Sequence, residues 1–211
     1  MKKITKIEYQ KNNKDRVNIY LDDSFEIGID LNIMIKYGLC KNMILDDDFI
    51  SEILFFENKA KAYNYAVSLL SRAAKSEKQV IQKMVEKGYD QELIEITVKK
   101  LKVNKFIDDS DYCERFIHDK INFSKYGKLK IKEALCSKGI DRRIIDEKLS
   151  VITDEDELGK AFELSQKKLK TLSNIDPLKR KVKLYNYLIS KGFDYDTVNK
   201  AVSSVIKTYN D

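Results

Sequence analysis

The side chains best suited to proton transfer or metal ligation are few, and none is placed for either. His118 is the only histidine among 211 residues. It adjoins Asp119 and has no second ligand at metal-binding spacing, so it reads as a surface histidine. Cys40, Cys113 and Cys136 are far apart and lack a Cys-x-x-Cys spacing, which makes them reduced thiols packed as small apolar groups. The acidic run Asp154-Glu155-Asp156-Glu157 stands where a helix begins, and negative charge there complements the helix dipole without paired-carboxylate chemistry. The seven glycines form no GxxxxGK[ST] or GxGxxG loop that could cradle a nucleotide phosphate. No catalytic residue, cofactor or metal centre is expected, and the protein reads as a binding protein rather than an enzyme.

Charge is the chemistry that remains. Lys and Arg number 40 against 34 Asp and Glu, a net +6, but the excess is uneven. Residues 124–143 hold seven basic and two acidic side chains, and residues 166–191 hold eight against one, whereas residues 40–58 hold one basic and five acidic. Lys128, Lys130, Lys132, Arg142 and Arg143 in the first basic stretch are candidate contacts to phosphates or to an acidic partner surface. Lys167, Lys168, Lys179, Arg180, Lys181 and Lys183 are the candidates in the second. Tyr126, Tyr185 and Tyr187 lie among them, and basic residues interleaved with aromatics suit single-stranded nucleic acid. Tyr185 falls on an apolar stripe, which leaves Tyr126 and Tyr187 as stacking candidates. A merely solvated helical face is the competing reading of the same residues.

The elements that must position these side chains repeat. Lys-Gly-apolar-Asp occurs at Lys87-Gly88-Tyr89-Asp90, Lys138-Gly139-Ile140-Asp141 and Lys191-Gly192-Phe193-Asp194, with glycines 51 and 53 residues apart. Val80, Ile131 and Leu184 stand eight residues before each glycine, Met84, Leu135 and Leu188 four before, and Val85, Cys136 and Ile189 three before. These offsets make one helical stripe. A second stripe follows at six, ten and thirteen residues after each glycine: Ile94, Val98 and Leu101; Ile145, Leu149 and Ile152; Val198, Val202 and Val205. Glycine in the left-handed conformation ends the first helix, the apolar residue closes a Schellman-type contact, and Asp caps the second helix. Upstream helices are predicted over about 57–74, 109–123 and 155–172. Ser76-Glu77-Lys78-Gln79 is a capping box, and Asp176-Pro177 opens the middle helix of the third unit. The outward residues at the start of each third helix are Gln91 and Glu92, Arg142 and Arg143, Tyr195 and Asp196. Such unlike chemistry argues against sequence-specific reading of a DNA groove.

Residues 1–30 differ in kind. Thr5, Ile7 and Tyr9, then Val17, Ile19 and Leu21, then Phe25, Ile27 and Ile29 alternate at period two, which predicts a three-stranded antiparallel meander. Asp30 caps a short helix over about 31–37, and Asp46-Asp47-Asp48 starts the helix leading into the repeats. With 7 Gly and 1 Pro, long helices are favoured over turn-rich β architecture. The expected fold is mainly α: an elongated tandem array of three three-helix repeats preceded by a small antiparallel β meander. Its expected divisions are 1–57, 58–104, 105–152 and 153–211. No run of about 18 apolar residues and no apolar leader in MKKITKIEYQKNNKD is present, so a cytoplasmic location away from membranes is expected.

The order of these signals is similar to the RecX family of regulators of the RecA recombinase. The likeness rests on Tyr65-Ala66-Val67-Ser68-Leu69-Leu70-Ser71-Arg72 followed by Ser76, on Phe106-Ile107-Asp108-Asp109 leading to Tyr112 and Phe116-Ile117, on Asp176-Pro177 with Lys179 and Leu184, and on the three joints. The resemblance implies a curved array lying in the groove of the RecA filament on single-stranded DNA, restraining filament growth and lowering ATP hydrolysis and strand exchange. The expected partners are the RecA filament and, through basic repeats two and three, DNA; a monomer is the expected state. The alternative is a single- or double-stranded DNA-binding module that acts without RecA.

Overall fold

The period-two segments pair into one sheet. In the computed structural model, which describes residues 1–173 and 175–210, β1 (Lys2–Gln10), β2 (Asn13–Leu21) and β3 (Ser24–Asp30) form the meander. Helix α1 (Leu31–Lys36) follows, capped by Asp30 through Asn32 N–H. A two-residue strand, β4 (Ile44–Leu45), then pairs antiparallel with β1, so the sheet has four strands in the order β3-β2-β1-β4. The fourth strand was not predicted, because two residues carry no periodicity.

Asp22 and Asp23 both adopt positive φ, +47° and +65°, which gives the tight β2–β3 turn the twist that its flanking strands require. Val17, Ile19, Leu21 and Ile29 are buried as the alternation predicts. In β1 the pairing with β2 shifts register between Ile4 and Lys6, so Ile4 is buried while Tyr9 is exposed. Thr5, Ile7 and Tyr9 therefore do not form one inward face.

Helix α2 (Asp47–Arg72) runs unbroken for 26 residues, so the predicted lead-in helix and the first upstream helix are one element. Its first half covers the sheet. There Glu57, fully buried, accepts Arg16 Nη2 at 2.5 Å and Asp30 N–H at 2.8 Å. Lys61 Nζ lies 3.3 Å from the same carboxylate, so two cations and an amide share the buried charge. Helices α3 (Glu77–Glu86) and α4 (Gln91–Val103) complete the first three-helix unit. The second comprises α5 (Asp109–Asp119), a π-helical turn at Lys120–Ser124, α6 (Lys128–Ser137) and α7 (Arg142–Leu149). The third comprises α8 (Asp154–Lys170), α9 (Pro177–Lys191) and α10 (Tyr195–Asn210).

Contacts divide the chain into two compact units. One holds residues 1–73 and 80–106; the other holds residues 74–79 and 107–211. All nine stripe residues that follow the three glycines are buried, as are the positions eight and four before each glycine. The positions three before lie at the edge of the stripe, with Val85 and Ile189 exposed. The apolar face is therefore narrower than the sequence pattern suggested.

Candidate partner and nucleic-acid interface

The three joints are built alike. Gly88, Gly139 and Gly192 have φ of +90°, +83° and +88°. The following amide reaches back in each case, Tyr89 to Met84 O at 3.2 Å, Ile140 to Leu135 O at 3.2 Å and Phe193 to Leu188 O at 3.3 Å, which is the Schellman bond. Asp90, Asp141 and Asp194 each accept an amide of the next helix at 2.8 Å. The backbone bond from Arg143 holds the Asp141 carboxyl below its ordinary value. At Asp194 burial pushes upward, but the Thr197 amide and hydroxyl outweigh it and the net shift is downward.

Within the second unit two of these joints do more than turn the chain. Gly127 N–H donates to Lys191 O at 2.9 Å and Leu129 N–H donates to Gly192 O at 3.1 Å. Backbones this close leave no room for a side chain: a Cβ on Gly127 would stand 2.4 Å from Gly192 O, and one on Gly192 would stand 2.2 Å from Lys130 Cβ. The segment before α3 meets the Gly139 joint similarly, with Ser76 Oγ donating to Lys138 O at 2.6 Å. By contrast, a Cβ at Gly88 would meet nothing within 4 Å.

The packing sorts the basic candidates. Lys128 Nζ lies 3.3 Å from Asp154, and its N–H donates to the buried Glu157 carboxylate. Lys130 Nζ donates to Ser190 O at 2.7 Å and lies 4.5 Å from the Tyr126 ring centroid. Lys132 pairs with Asp146 at 2.5 Å. Arg180 Nη2 donates to Ser173 O and Ile175 O, both at 2.9 Å, holding the turn before α9. Lys168 sits over Tyr187 at 5.5 Å. Each of these five has a partner within the unit itself.

Arg142, Lys167, Lys179, Lys181 and Lys183 are exposed, with no carboxylate partner among the described residues. Arg143 is almost fully exposed, and its one carboxylate partner among the described residues is its own cap, Asp141, at 3.6 Å. Lys179, Lys181 and Lys183 stand beside the exposed apolar residues Leu178 and Val182 on α9. Tyr126 and Tyr187 are packed against the apolar clusters of their own units, and Lys191 lies over both rings, at 5.3 and 5.9 Å. Neither is an open stacking platform.

Sequence reasoning missed the second role of the acidic run at α8. Asp156 shares a capping box with Thr153, and Glu157 accepts the Lys128 amide at 3.2 Å, capping α6, whose own N-cap is the side-chain-free Gly127. Burial pushes the Glu157 carboxyl above its ordinary value of 4.5, against the pull of Lys128. The cap comes from a different repeat, so no local pattern announces it. Among the thiols, Cys113 is buried and pushed up to about 11 by that burial, whereas Cys40 is exposed, contrary to its reading as a packed group. His118 is exposed, 3.6 Å from Asp119, as a surface histidine would be.

This architecture matches known proteins throughout. The family model for the regulatory protein RecX N-terminal domain matches residues 2–46, and those for the first, second and third three-helix domains of RecX match residues 62–101, 108–149 and 154–202. The chain belongs to the RecX family. Regulatory protein RecX of Clostridium perfringens (strain 13 / Type A) is 38% identical over 204 residues, which is 96% of this chain and 95% of the relative. That of Clostridioides difficile (strain 630) is 34% identical over 203 residues, 96% and 95% of the two chains. A crystal structure of regulatory protein RecX superposes with a TM-score of 0.76 at 31% identity, covering 99% of this chain and all of that one. RecX from Lactobacillus salivarius superposes with a TM-score of 0.64 at 28% identity, over 70% of this chain and 96% of that one. The RecX relatives are named regulatory proteins, and among the described residues no helix is long and apolar enough to cross a membrane.

Proposed function

We propose that this RecX-family chain binds the RecA filament on single-stranded DNA and restrains its ATPase and recombinase activity without performing catalysis. The observation that carries the reading is the set of exposed cations in the second unit, Arg142, Arg143, Lys167, Lys179, Lys181 and Lys183, which have no carboxylate partner among the described residues other than the Arg143 cap. Lys128, Lys130, Lys132, Lys168 and Arg180 support that surface by holding helices in place. Such unneutralised charge suits phosphates or acidic groups on a filament, and the apolar pair Leu178 and Val182 beside it suits a protein partner more than DNA alone. Several weak contacts made together by a modular chain add through effective concentration.

The test is RecA's DNA-dependent ATP hydrolysis. Substoichiometric amounts of the chain are expected to lower it. Replacing Arg142, Arg143, Lys179, Lys181 and Lys183 by alanine should raise the half-inhibitory concentration at least about tenfold, the equivalent of roughly 1.4 kcal/mol. Unchanged hydrolysis at saturating protein would remove the function and leave the fold intact.

A further inference from the structure

A second feature lies in the first unit and shares no residue with the cations just described. A cavity of about 490 Å³ opens between α1, α2 and α4, within the size range of small-molecule sites. Three ammonium groups line it. Lys36 Nζ stands 3.8 Å from the Phe56 ring centroid, Lys59 Nζ stands 5.8 Å from the same ring, and Lys100 Nζ stands 4.2 Å from that of Tyr63. No carboxylate pairs with any of the three among the described residues. An aromatic face positions an ammonium without cancelling its charge, so the cavity keeps its positive potential. Its one carboxylate, Asp30, is occupied at the start of α1, accepting Asn32 N–H at 2.8 Å and Asn32 Nδ2 at 3.0 Å.

The remaining wall is of a different character. Ile33, Ala60 and Ile96 give it apolar surface. Thr97, 1% exposed, also lines it, and its hydroxyl has no hydrogen-bond partner among the described residues. A buried hydroxyl left without a partner lowers stability, and such a defect calls for a compensating role. A bare anion would leave the apolar wall wet, and an apolar ligand would leave three charges unanswered. A ligand that carries both parts satisfies the whole cavity.

We propose that this cavity binds a nucleoside phosphate, either as a free nucleotide or as one unit of a single strand. Lys36, Lys59 and Lys100 hold the phosphate, and the apolar wall covers sugar and base. The site is separate from the cations of the second unit and does not depend on RecA.

Calorimetric titration of the full chain with 2′-deoxyadenosine 5′-monophosphate, a deoxyadenosine hexamer and inorganic phosphate tests this. Saturable binding of the monophosphate is expected, at least tenfold weaker in the Lys36→Ala/Lys59→Ala/Lys100→Ala variant and unchanged in the charge-matched Lys11→Ala/Lys14→Ala/Lys41→Ala variant. Inorganic phosphate should bind at least tenfold more weakly than the monophosphate. A hexamer that binds more tightly than the monophosphate, and loses that advantage in the Lys36→Ala/Lys59→Ala/Lys100→Ala variant, identifies the strand as the source; one whose advantage is absent or survives that variant identifies the free nucleotide. Should the first triple variant melt at a lower temperature, Lys100→Gln alone is to be titrated, with at least a threefold loss expected. The proposal is overturned if neither adenine probe saturates, if phosphate matches the monophosphate, or if the cavity variants bind as the parent does.

Discussion

Glu157 illustrates how one side chain can serve two helices. It sits in the first turn of α8, where a carboxylate suits the helix dipole, and it supplies the acceptor that Gly127 cannot give to α6. The cap and the cost of burial act in opposite directions on its titration. Burial prevails, so the folded chain takes up this proton at a higher pH than the unfolded chain, whose carboxyl titrates near 4.5. The stabilising protonation is fully present below 4.5 and is lost as pH rises through the folded value. Glu157→Gln keeps an acceptor and removes the charge. It is therefore expected to match or exceed the parent in urea midpoint at pH 7, and to lose that advantage as pH is lowered toward 4.5. Glu157→Ala removes the acceptor and should cost about 1–2 kcal/mol at pH 7. A pH-independent difference between the parent and Glu157→Gln would contradict this assignment.

At the scale of elements, the thrice-used joint has two separable functions. Every copy reverses the chain through a left-handed glycine, and two copies also accept hydrogen bonds from a neighbouring segment, the Gly192 joint from backbone amides and the Gly139 joint from the Ser76 hydroxyl. Gly88 carries only the first function, because its Cβ direction is open. Gly88→Ala should thus cost only the left-handed strain of a side chain, about 1–2 kcal/mol. Gly127 has negative φ and no such strain, yet an added Cβ would strike Gly192 O at 2.4 Å, and backbone cannot swing aside as a side chain can. Gly127→Ala should therefore cost more, about 3 kcal/mol by analogy with severe overpacking. It should also accelerate hydrogen exchange at the Leu129 amide, which is bonded to Gly192 O. Chemical denaturation with exchange measurements checks both. A smaller loss at Gly127 than at Gly88 would show that the close backbone approach contributes little.

For the whole molecule, uneven charge matters more than the net +6. The exposed cations lie in the second unit, whereas the acidic residues 40–58 lie in the first. Binding to single-stranded DNA, alone or within a filament, is expected to weaken with salt by roughly 0.7 log unit per neutralised phosphate for each tenfold rise in salt. Replacing Lys179, Lys181 and Lys183 with alanine should flatten the log–log slope by about 2 on this basis. An unaltered slope would exclude these lysines as phosphate contacts while leaving protein contacts through Leu178 and Val182 open to test.

The sequence by itself determined the repeating part of the fold. The left-handed glycine, the Schellman bond and the Asp cap are all satisfied within a few residues, and the positions eight and four before and six, ten and thirteen after each glycine are buried in every repeat, though those three before are not. It also marked the whole basic set, because charge is a property of composition. Tertiary structure decided which of those charges remain available. Lys128, Lys130, Lys132, Lys168 and Arg180 find partners on other helices or turns, whereas Lys179, Lys181 and Lys183 have none among the described residues. The same holds for β4, for the cap from Glu157 to α6, and for the convergence of Lys36, Lys59 and Lys100 from three helices. Each depends on contact between segments distant along the chain. Local propensity carries no record of such contacts; only packing the elements against one another brings the groups together.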